Sequence, residues 1–505
     1  MSKWLLAHDL GTSGNKATLF TTAGELIDSC TYAYPTRFFN GKWAEQNPLD
    51  WWQAFCETNR RLLAGRDATQ VAAVAFSGQM MGCVCVDEKG SVLRPAIIWA
   101  DQRSVAEEQY LRERIDPWEF YKIVGHRISA SYSIEKLMWI RNHEPDVFKK
   151  THRMLLPKDY LIYRLTGAFV TDYSDASGTN AFDLTRGEWS DKIIQMAGLD
   201  REIFPTAYPS THVAGEVSTA IANSCSLAPG TLVVLGGGDG VCAAVGAASV
   251  EENVAYNYLG SSSWVAYTST EPVFDKEMRT FNWAHLIPGC YAPTGTMQAA
   301  ANSYNFMKQH LFEGLALLEQ DQEKSIYQLM DNHLREAPLG ARGLLFLPYL
   351  LGERSPRWNP NARGAFIGLK MEHTKSDLLR ATVEGILMNL AIILKVFQSK
   401  SPITDMNVIG GLAQSDPILE MLTDIYDVRV HKLNYLEEAT SIGAAIAAGV
   451  GSGYLKDFSA VHQFIQPVKS LEPREKNHRQ YEEVKRIFDQ CYEALVPIYD
   501  ELSRL

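Results

Sequence analysis

A carboxylate at residue 9 runs directly into a glycine-broken, hydroxyl-rich turn, Asp9-Leu10-Gly11-Thr12-Ser13-Gly14-Asn15-Lys16. Glycines permit tight turns and close approach of backbone to a ligand. Thr12 and Ser13 offer hydroxyls to phosphate oxygens, and Lys16 offers a point charge. Asp9 could hold Mg²⁺ through water. An ordinary hairpin turn would use the same residues. The spacing is neither G-x-x-x-x-G-K-[ST] nor G-x-G-x-x-G. A second carboxylate stands in Gly236-Gly237-Gly238-Asp239-Gly240. Its glycine neighbours let a substrate come close, so Asp239 is a candidate general base for a hydroxyl proton during phosphoryl transfer. Asp also suits a helix N-cap, and the two roles are compatible. In Gly410-Gly411-Leu412-Ala413-Gln414-Ser415 two glycines could lay backbone flat against a planar ring, or simply make a strand–helix turn. Glu437-Glu438 reads as a solvated helix start.

These residues need elements to hold them. Residues 6–20, LAHDLGTSGNKATLF, and 255–269, AYNYLGSSSWVAYTS, each read as two extended segments around a Gly/Ser turn,. Leu10-Gly11-Thr12-Ser13 and Leu259-Gly260-Ser261-Ser262 align about half a chain apart, which points to two similar domains. Residues 231–239 and 406–416 each read as a strand passing through glycines into a helix, a place where anions gather. Residues 48–64 and the last thirty read as amphipathic helices, 377–398 as a long helix, 71–76 as a buried strand, and 442–449 as a buried small-residue helix,. The domain boundary is placed near 248, giving 1–248 and 249–505.

The 505 residues carry a net charge of −11, with 46% hydrophobic and 21% charged residues. That balance is globular, and the acidic charge disfavours nucleic acid as a partner. The eight cysteines show no CxxC or paired metal spacing and are expected to be reduced,. No window suits a membrane span or a signal peptide, so the expectation is a soluble, cytoplasmic protein.

Two longer segments sharpen the reading. Ser131 to His143, SYSIEKLMWIRNH, and Gly364 to Glu384, GAFIGLKMEHTKSDLLRATVE, resemble the two signatures of the FGGY carbohydrate kinases, with Lys136, Trp139, Gly368, Asp377, Ala381 and Glu384 matching. DLGTSG at 9–14, LPKDYL at 156–161, SDASGT at 174–179, GGGD at 236–239 and LPYLLGERSP at 347–356 resemble xylulokinases within that family. The resemblance implies an α/β fold of two ribonuclease H-like, actin-like ATPase domains, each with a mixed five-stranded sheet, and a cleft between them. It implies ATP and Mg²⁺ as cofactors, and ATP-dependent phosphorylation of a sugar hydroxyl, foremost a pentulose such as D-xylulose giving the 5-phosphate. A homodimer is compatible with it. Other family substrates (ribulose, gluconate, glycerol or another polyol) and an inactive nucleotide-binding regulator are the alternatives.

Residue by residue, the likeness makes Asp239 the catalytic base and Asp9 the acid of the first phosphate motif, both near Mg²⁺. It puts Thr12, Ser13, Lys16, Gly260 and Ser261 near the ATP phosphates and Gly411 and Ser415 at the adenosine. Gln79, Met80 and Met81 fall at the sugar. Two positions depart from the xylulokinase pattern: Met81 stands where His is usual, and Gly240 where Asn is usual. Neither replacement offers a strong side-chain hydrogen bond, so sugar preference should differ. Arg103 and the pair Glu353-Arg354 are read mainly as packing and loop-fixing residues. Trp43, Trp51, Trp52 and Trp99 are read mostly as core.

Overall fold

The computed structural model describes residues 3–314 and 325–505. Two mixed sheets organise the chain. The first holds Trp4–Leu10 (β1), Gly14–Thr21 (β2), Leu26–Ala33 (β3), Val71–Gly78 (β4), Val213–Glu216 (β5) and Leu232–Gly238 (β6), in the order β5-β6-β4-β1-β2-β3. The second holds Ala255–Leu259 (β7), Ser263–Tyr267 (β8), Phe281–Ala284 (β9), Tyr291–Met297 (β10), Asp405–Ile409 (β11), Arg429–Leu433 (β12) and Pro467–Leu471 (β13), in the order β9-β10-β8-β7-β11-β12-β13.

Both sheets contain one plan. A three-stranded antiparallel meander is extended by two parallel strands that arrive by crossovers: β3-β2-β1-β4-β6 in the first, β10-β8-β7-β11-β12 in the second. Parallel neighbours require such crossovers. The sequence echo therefore marks the first hairpin of each copy. The expected five strands describe this shared core but undercount each sheet. Antiparallel β5 makes the first sheet six-stranded, and β9 and β13 make the second seven-stranded. The edge strands β5 and β13 bury no residue fully, so they leave little apolar pattern to read.

The helices that matter for the site are Pro48–Leu62 (α1), Pro157–Thr166 (α2), Asp239–Gly246 (α3), Ile326–Glu336 (α4), Lys375–Gln398 (α5), Asp416–Tyr426 (α6), Ala439–Gly451 (α7) and Glu475–Leu502 (α8). Their starts follow from the residues there. Asn47 caps α1 and Pro48 fills its first position,. Thr374 and Asp377 form a capping box on α5,. The matched signature residues Asp377 and Glu384 are thus structural: Asp377 caps α5, and Glu384 accepts from Gly340 N, Arg380 and Tyr481 of α8.

Helix α7 comes from the second half of the chain yet packs on β1, β4 and β6 of the first sheet, and against α3. The α3–α7 contact depends on two glycines. A Cβ on Gly246 would fall 1.8 Å from the Ala439 carbonyl oxygen, and one on Gly443 2.0 Å from that of Cys242. With α3 and α7 at its centre, one apolar cluster joins Ala7, Ala75 and Val234 of the first sheet to Tyr256 and Ala266 of the second. No described helix is long and apolar enough to cross a membrane. All eight cysteines are unbridged.

Candidate active site

Among the described residues, two cavities that share Asp239 open between the sheets. The larger, about 910 Å³, is lined by Asp9 and Gly11 from the first hairpin, Gly260 and Ser261 from the second, Gly410, Gly411 and Ser415 after β11, and Asp331 from α4. The smaller, about 380 Å³, is walled by Met80, Met81, Trp99, Phe281 and Trp283 and carries Gln298, Asn302 and Arg354 as polar groups. Asp239, Ser261 and Trp264 line both. A carboxylate therefore stands where the two spaces meet.

The chain reaches that junction by a forced route. At Gly236 the backbone turns left-handed, with φ +67°, and a Cβ there would lie 1.9 Å from the Phe76 carbonyl oxygen. The register of β6 against β4 breaks at this point, between Val234 and Gly237. Asp239 then begins α3 as its first residue, behind Gly238 in the capping position. It does not cap the helix from outside, as an N-cap Asp would. Its Oδ1 accepts from Gly240 N at 2.7 Å. Burial, and then the neighbouring Asp9 charge, push the Asp239 carboxyl up to about 7,.

Asp9, near the end of β1, is tied through both oxygens: Ser77 Oγ donates to Oδ1 at 2.8 Å and Thr440 Oγ1 to Oδ2 at 2.7 Å. Thr440 lies in the first turn of α7, so this bond links the two halves of the sequence. Burial holds the Asp9 carboxyl above the usual range despite those donors. A further link runs from β7: Trp264 Nε1 donates to Tyr256 Oη at 2.8 Å, and Tyr256 Oη to the Gly240 carbonyl at 2.6 Å. The wall of both cavities is thereby fastened to the residue after Asp239.

Behind the glycine strand lies a fully buried charge cage. Lys158 Nζ of α2 sits 2.7 Å from Asp159, 2.9 Å from Asp172 and 3.2 Å from Asp175, all four side chains at 0% exposure. Asp172 accepts from the Ser174 amide and hydroxyl and from Ser210 Oγ. Ser174 Oγ in turn accepts from Gly238 N at 3.0 Å. This chain of bonds holds the residue before Asp239. Burial and the neighbouring carboxylates push Asp175 well above the usual carboxylate range, against the pull of Lys158.

The likeness to known proteins covers this whole arrangement. The model of the N-terminal domain of the FGGY family of carbohydrate kinases matches residues 4–246, and that of the C-terminal domain matches residues 255–452. The chain belongs to the FGGY family of carbohydrate kinases. It is 32% identical to a xylulose kinase of Staphylococcus epidermidis over 97% of this chain and 96% of that protein. Among solved structures, a gluconate kinase and a ligand-bound xylulose kinase, both from Lactobacillus acidophilus, each superpose with a TM-score of 0.92 at 26% identity, over 99% of this chain and 100% of theirs. The FGGY chain is thus a sugar kinase, and family membership implies use of ATP.

Not every residue singled out in this kinase's sequence lines a cavity. Gly260, Ser261, Gly411 and Ser415 line the larger one, and Met80 and Met81 the smaller. Thr12, Ser13, Lys16 and Gln79 line neither. Thr12 Oγ1 accepts from Trp99 Nε1 at 2.9 Å. Ser13 is exposed on the turn. Lys16 Nζ reaches Glu438 at 3.0 Å and the Glu437 carbonyl at 3.1 Å, so Glu438 of the acid pair is not simply solvated. Gln79 is buried against Gln46 and the Gly11 carbonyl. An ion pair consumes the lysine charge, and a helix start supplies it.

Arg103 is buried, bonded to Asp101 and Glu45, with its guanidinium 4.0 Å from the Trp43 ring centre. Glu353 does fix its loop, accepting from Gln298 N and Asn389 Nδ2. Arg354, read as its partner, instead lines the smaller cavity, and so does Trp99. Sequence reading missed Trp264, Trp283, Asn302 and Asp331. Trp264 sits two residues beyond the second Gly/Ser turn and was the most findable; Asp331 lies on a plain amphipathic helix with no motif around it. The signature residue Lys136 acts on the site from behind: its Nζ donates to the Met81 carbonyl at 2.6 Å, where Met81 is held at φ 62°.

Proposed function

We propose that the kinase transfers the terminal phosphoryl group of ATP to a hydroxyl of a pentulose of the xylulose kind, giving the 5-phosphate, with Asp239 as general base. The observation that carries this reading is the position of Asp239 at the meeting of a nucleotide-sized cavity and a sugar-sized one. ATP occupies the larger space, with its phosphates toward the turns at Gly11 and Gly260. The acceptor occupies the smaller. The hydroxyl gives its proton to Asp239 as its oxygen bonds to the γ-phosphorus, and the bond to the bridging oxygen breaks to release ADP. The apolar walls exclude water, which limits hydrolysis of ATP.

Asp9 and Asp239 both line the larger cavity, and the Asp9 charge adds to burial in raising the proton affinity of Asp239. Such a pair fits Mg²⁺, which keeps water and phosphate oxygens among its ligands. Bound there, Mg²⁺ would offset charge on the phosphate oxygens.

A coupled assay of ADP release across ketoses, polyols and sugar acids tests the assignment. D-xylulose should give the highest kcat/KM of the panel. A second reading, a sugar acid as acceptor, draws on Arg354 in the smaller cavity and on the likeness to a gluconate kinase. Higher kcat/KM for gluconate than for D-xylulose would replace the pentulose assignment with it.

Two further outcomes follow from the geometry. Asp239 must be ionised to accept a proton, and its carboxyl titrates near 7. The kcat/KM profile should therefore rise about tenfold per pH unit below about 7 and level off above it,. A limb near 4 would remove Asp239 as the titrating base. Second, Gly240 has open space where a Cβ would be, with no atom within 4 Å. Asparagine fits there, and histidine tolerates the left-handed backbone at position 81 better than methionine,. The double change Met81→His with Gly240→Asn should lower KM for D-xylulose by roughly 3- to 10-fold per hydrogen bond gained. Steady-state kinetics on purified proteins would show it.

A further inference from the structure

We infer that Asp331 recognises the nucleoside end of the nucleotide, accepting a hydrogen bond from it and fixing which way the phosphates point. The inference rests on the ATP-dependent reading above. Asp331 lies on α4, whose residues Tyr327, Gln328 and Asp331 face the larger cavity together with Ser325 just before it. Its Oδ1 accepts from Ser415 Oγ at 2.6 Å. Ser415 also caps α6, accepting from Ile418 N. The carboxylate is therefore held by a residue that is itself fixed at a helix start.

An ionised carboxylate only accepts hydrogen bonds, and its two oxygens have about four sites. One is used by Ser415. In a nucleoside triphosphate the donors are the ribose hydroxyls and an exocyclic amine; the phosphates are anions and are repelled. The charges that act on Asp331 are Arg335, Asp416 and Lys432, whereas Asp239 feels Asp9. Asp331 lines the cavity beside Ser415 at the start of α6, whereas Asp239 lines it at the start of α3. Lys432 donates to the Gln414 carbonyl at 2.9 Å and lies 3.6 Å from Asp416, and Arg335 lies 3.6 Å from Glu420. Those cations are spread among several acceptors rather than set to receive phosphate. Burial raises the Asp331 carboxyl above its usual range, and the Ser415 bond opposes that shift.

The sign of the effect separates this from simple charge. Removing an acid from a site for an anion should tighten binding if the acid only repels. A ligand-contacting acid should do the opposite. Calorimetric titration of the full chain with ADP and Mg²⁺, which needs no acceptor, should show Asp331→Ala weakened roughly 10- to 100-fold, with an unchanged melting temperature for the free protein. Asp331→Asn, which keeps one acceptor oxygen, should lose less. The titration is then repeated with 2′-deoxy-ADP, 3′-deoxy-ADP and purine riboside diphosphate, which lacks the amine. At least one analogue should bind the unsubstituted protein more weakly than ADP does, and that penalty should vanish in Asp331→Ala; which analogue behaves so identifies ribose or base as the donor. Equal or tighter ADP binding by Asp331→Ala overturns the inference, as does a penalty that persists for every analogue. Failure of the unsubstituted protein to bind ADP would overturn the kinase reading itself.

Discussion

Asp239→Asn loses turnover by roughly 10²-fold or more while the protein stays folded. The amide keeps the size of the side chain and can still meet the cavity, but it cannot take the hydroxyl proton. KM for both substrates should move little, because the lost interaction belongs to the transition state. The same change should leave the melting temperature equal or raise it at pH 8. The sign follows from burial. Asp239 titrates near 7 when folded and nearer 4 when unfolded, so any stability it contributes is fully present at low pH and lost as pH rises through about 7,. Above that pH its charge is a cost that asparagine removes. Normal turnover in a folded Asp239→Asn protein would take the base role away from this residue. A protein that merely unfolds would be recognised by its melting curve.

The largest stability effect is expected at Lys158→Met. Among the described residues, Lys158 is the one cation paired with Asp159, Asp172 and Asp175, all without exposure. Its loss leaves buried carboxylates uncompensated, a change that costs about 3–5 kcal/mol in comparable pairs. The urea midpoint should fall accordingly. Asp175→Asn should cost far less, because that carboxyl already holds its proton well above the usual range. Because Ser174 carries the cage's geometry to the amide of Gly238, Ser174→Ala should lower kcat more than it raises either KM. Equal stability losses for Lys158→Met and Asp175→Asn would mean that the cage is not organised around the lysine.

Much of the architecture was legible because two short patterns were repeated. The Leu-Gly-Thr/Ser-Ser turns mark the first hairpin of each sheet, and the glycine runs mark strands that end at the cavities. These are local constraints: a tight turn needs glycine, and a helix start needs a polar residue. What stayed hidden depends on contacts between distant residues. Lys16 reads as a phosphate ligand until Glu438 is placed beside it. Arg354 reads as a salt-bridge partner until Glu353 is seen to be satisfied by backbone and amide donors. Asp331 has no local signature at all, since its meaning comes from Ser415, eighty-four residues away. Asp9 and Asp239 stood out by their glycine neighbours alone, whereas the cage joins Lys158 to acids that lie as far off as Asp172 and Asp175 and has no local mark.

Helix α7 sets an order of events during synthesis. The strands of the first sheet are complete by Gly238, yet the helix that covers β1, β4 and β6 begins only at Ala439. At about 5–20 residues per second, a ribosome needs roughly 10 to 40 s to make the intervening stretch. Through that interval Ala7, Ala75 and Val234, all fully covered in the finished molecule, lack their lid. The nascent first half therefore exposes apolar surface that the finished molecule hides, which makes it prone to aggregate until α7 arrives.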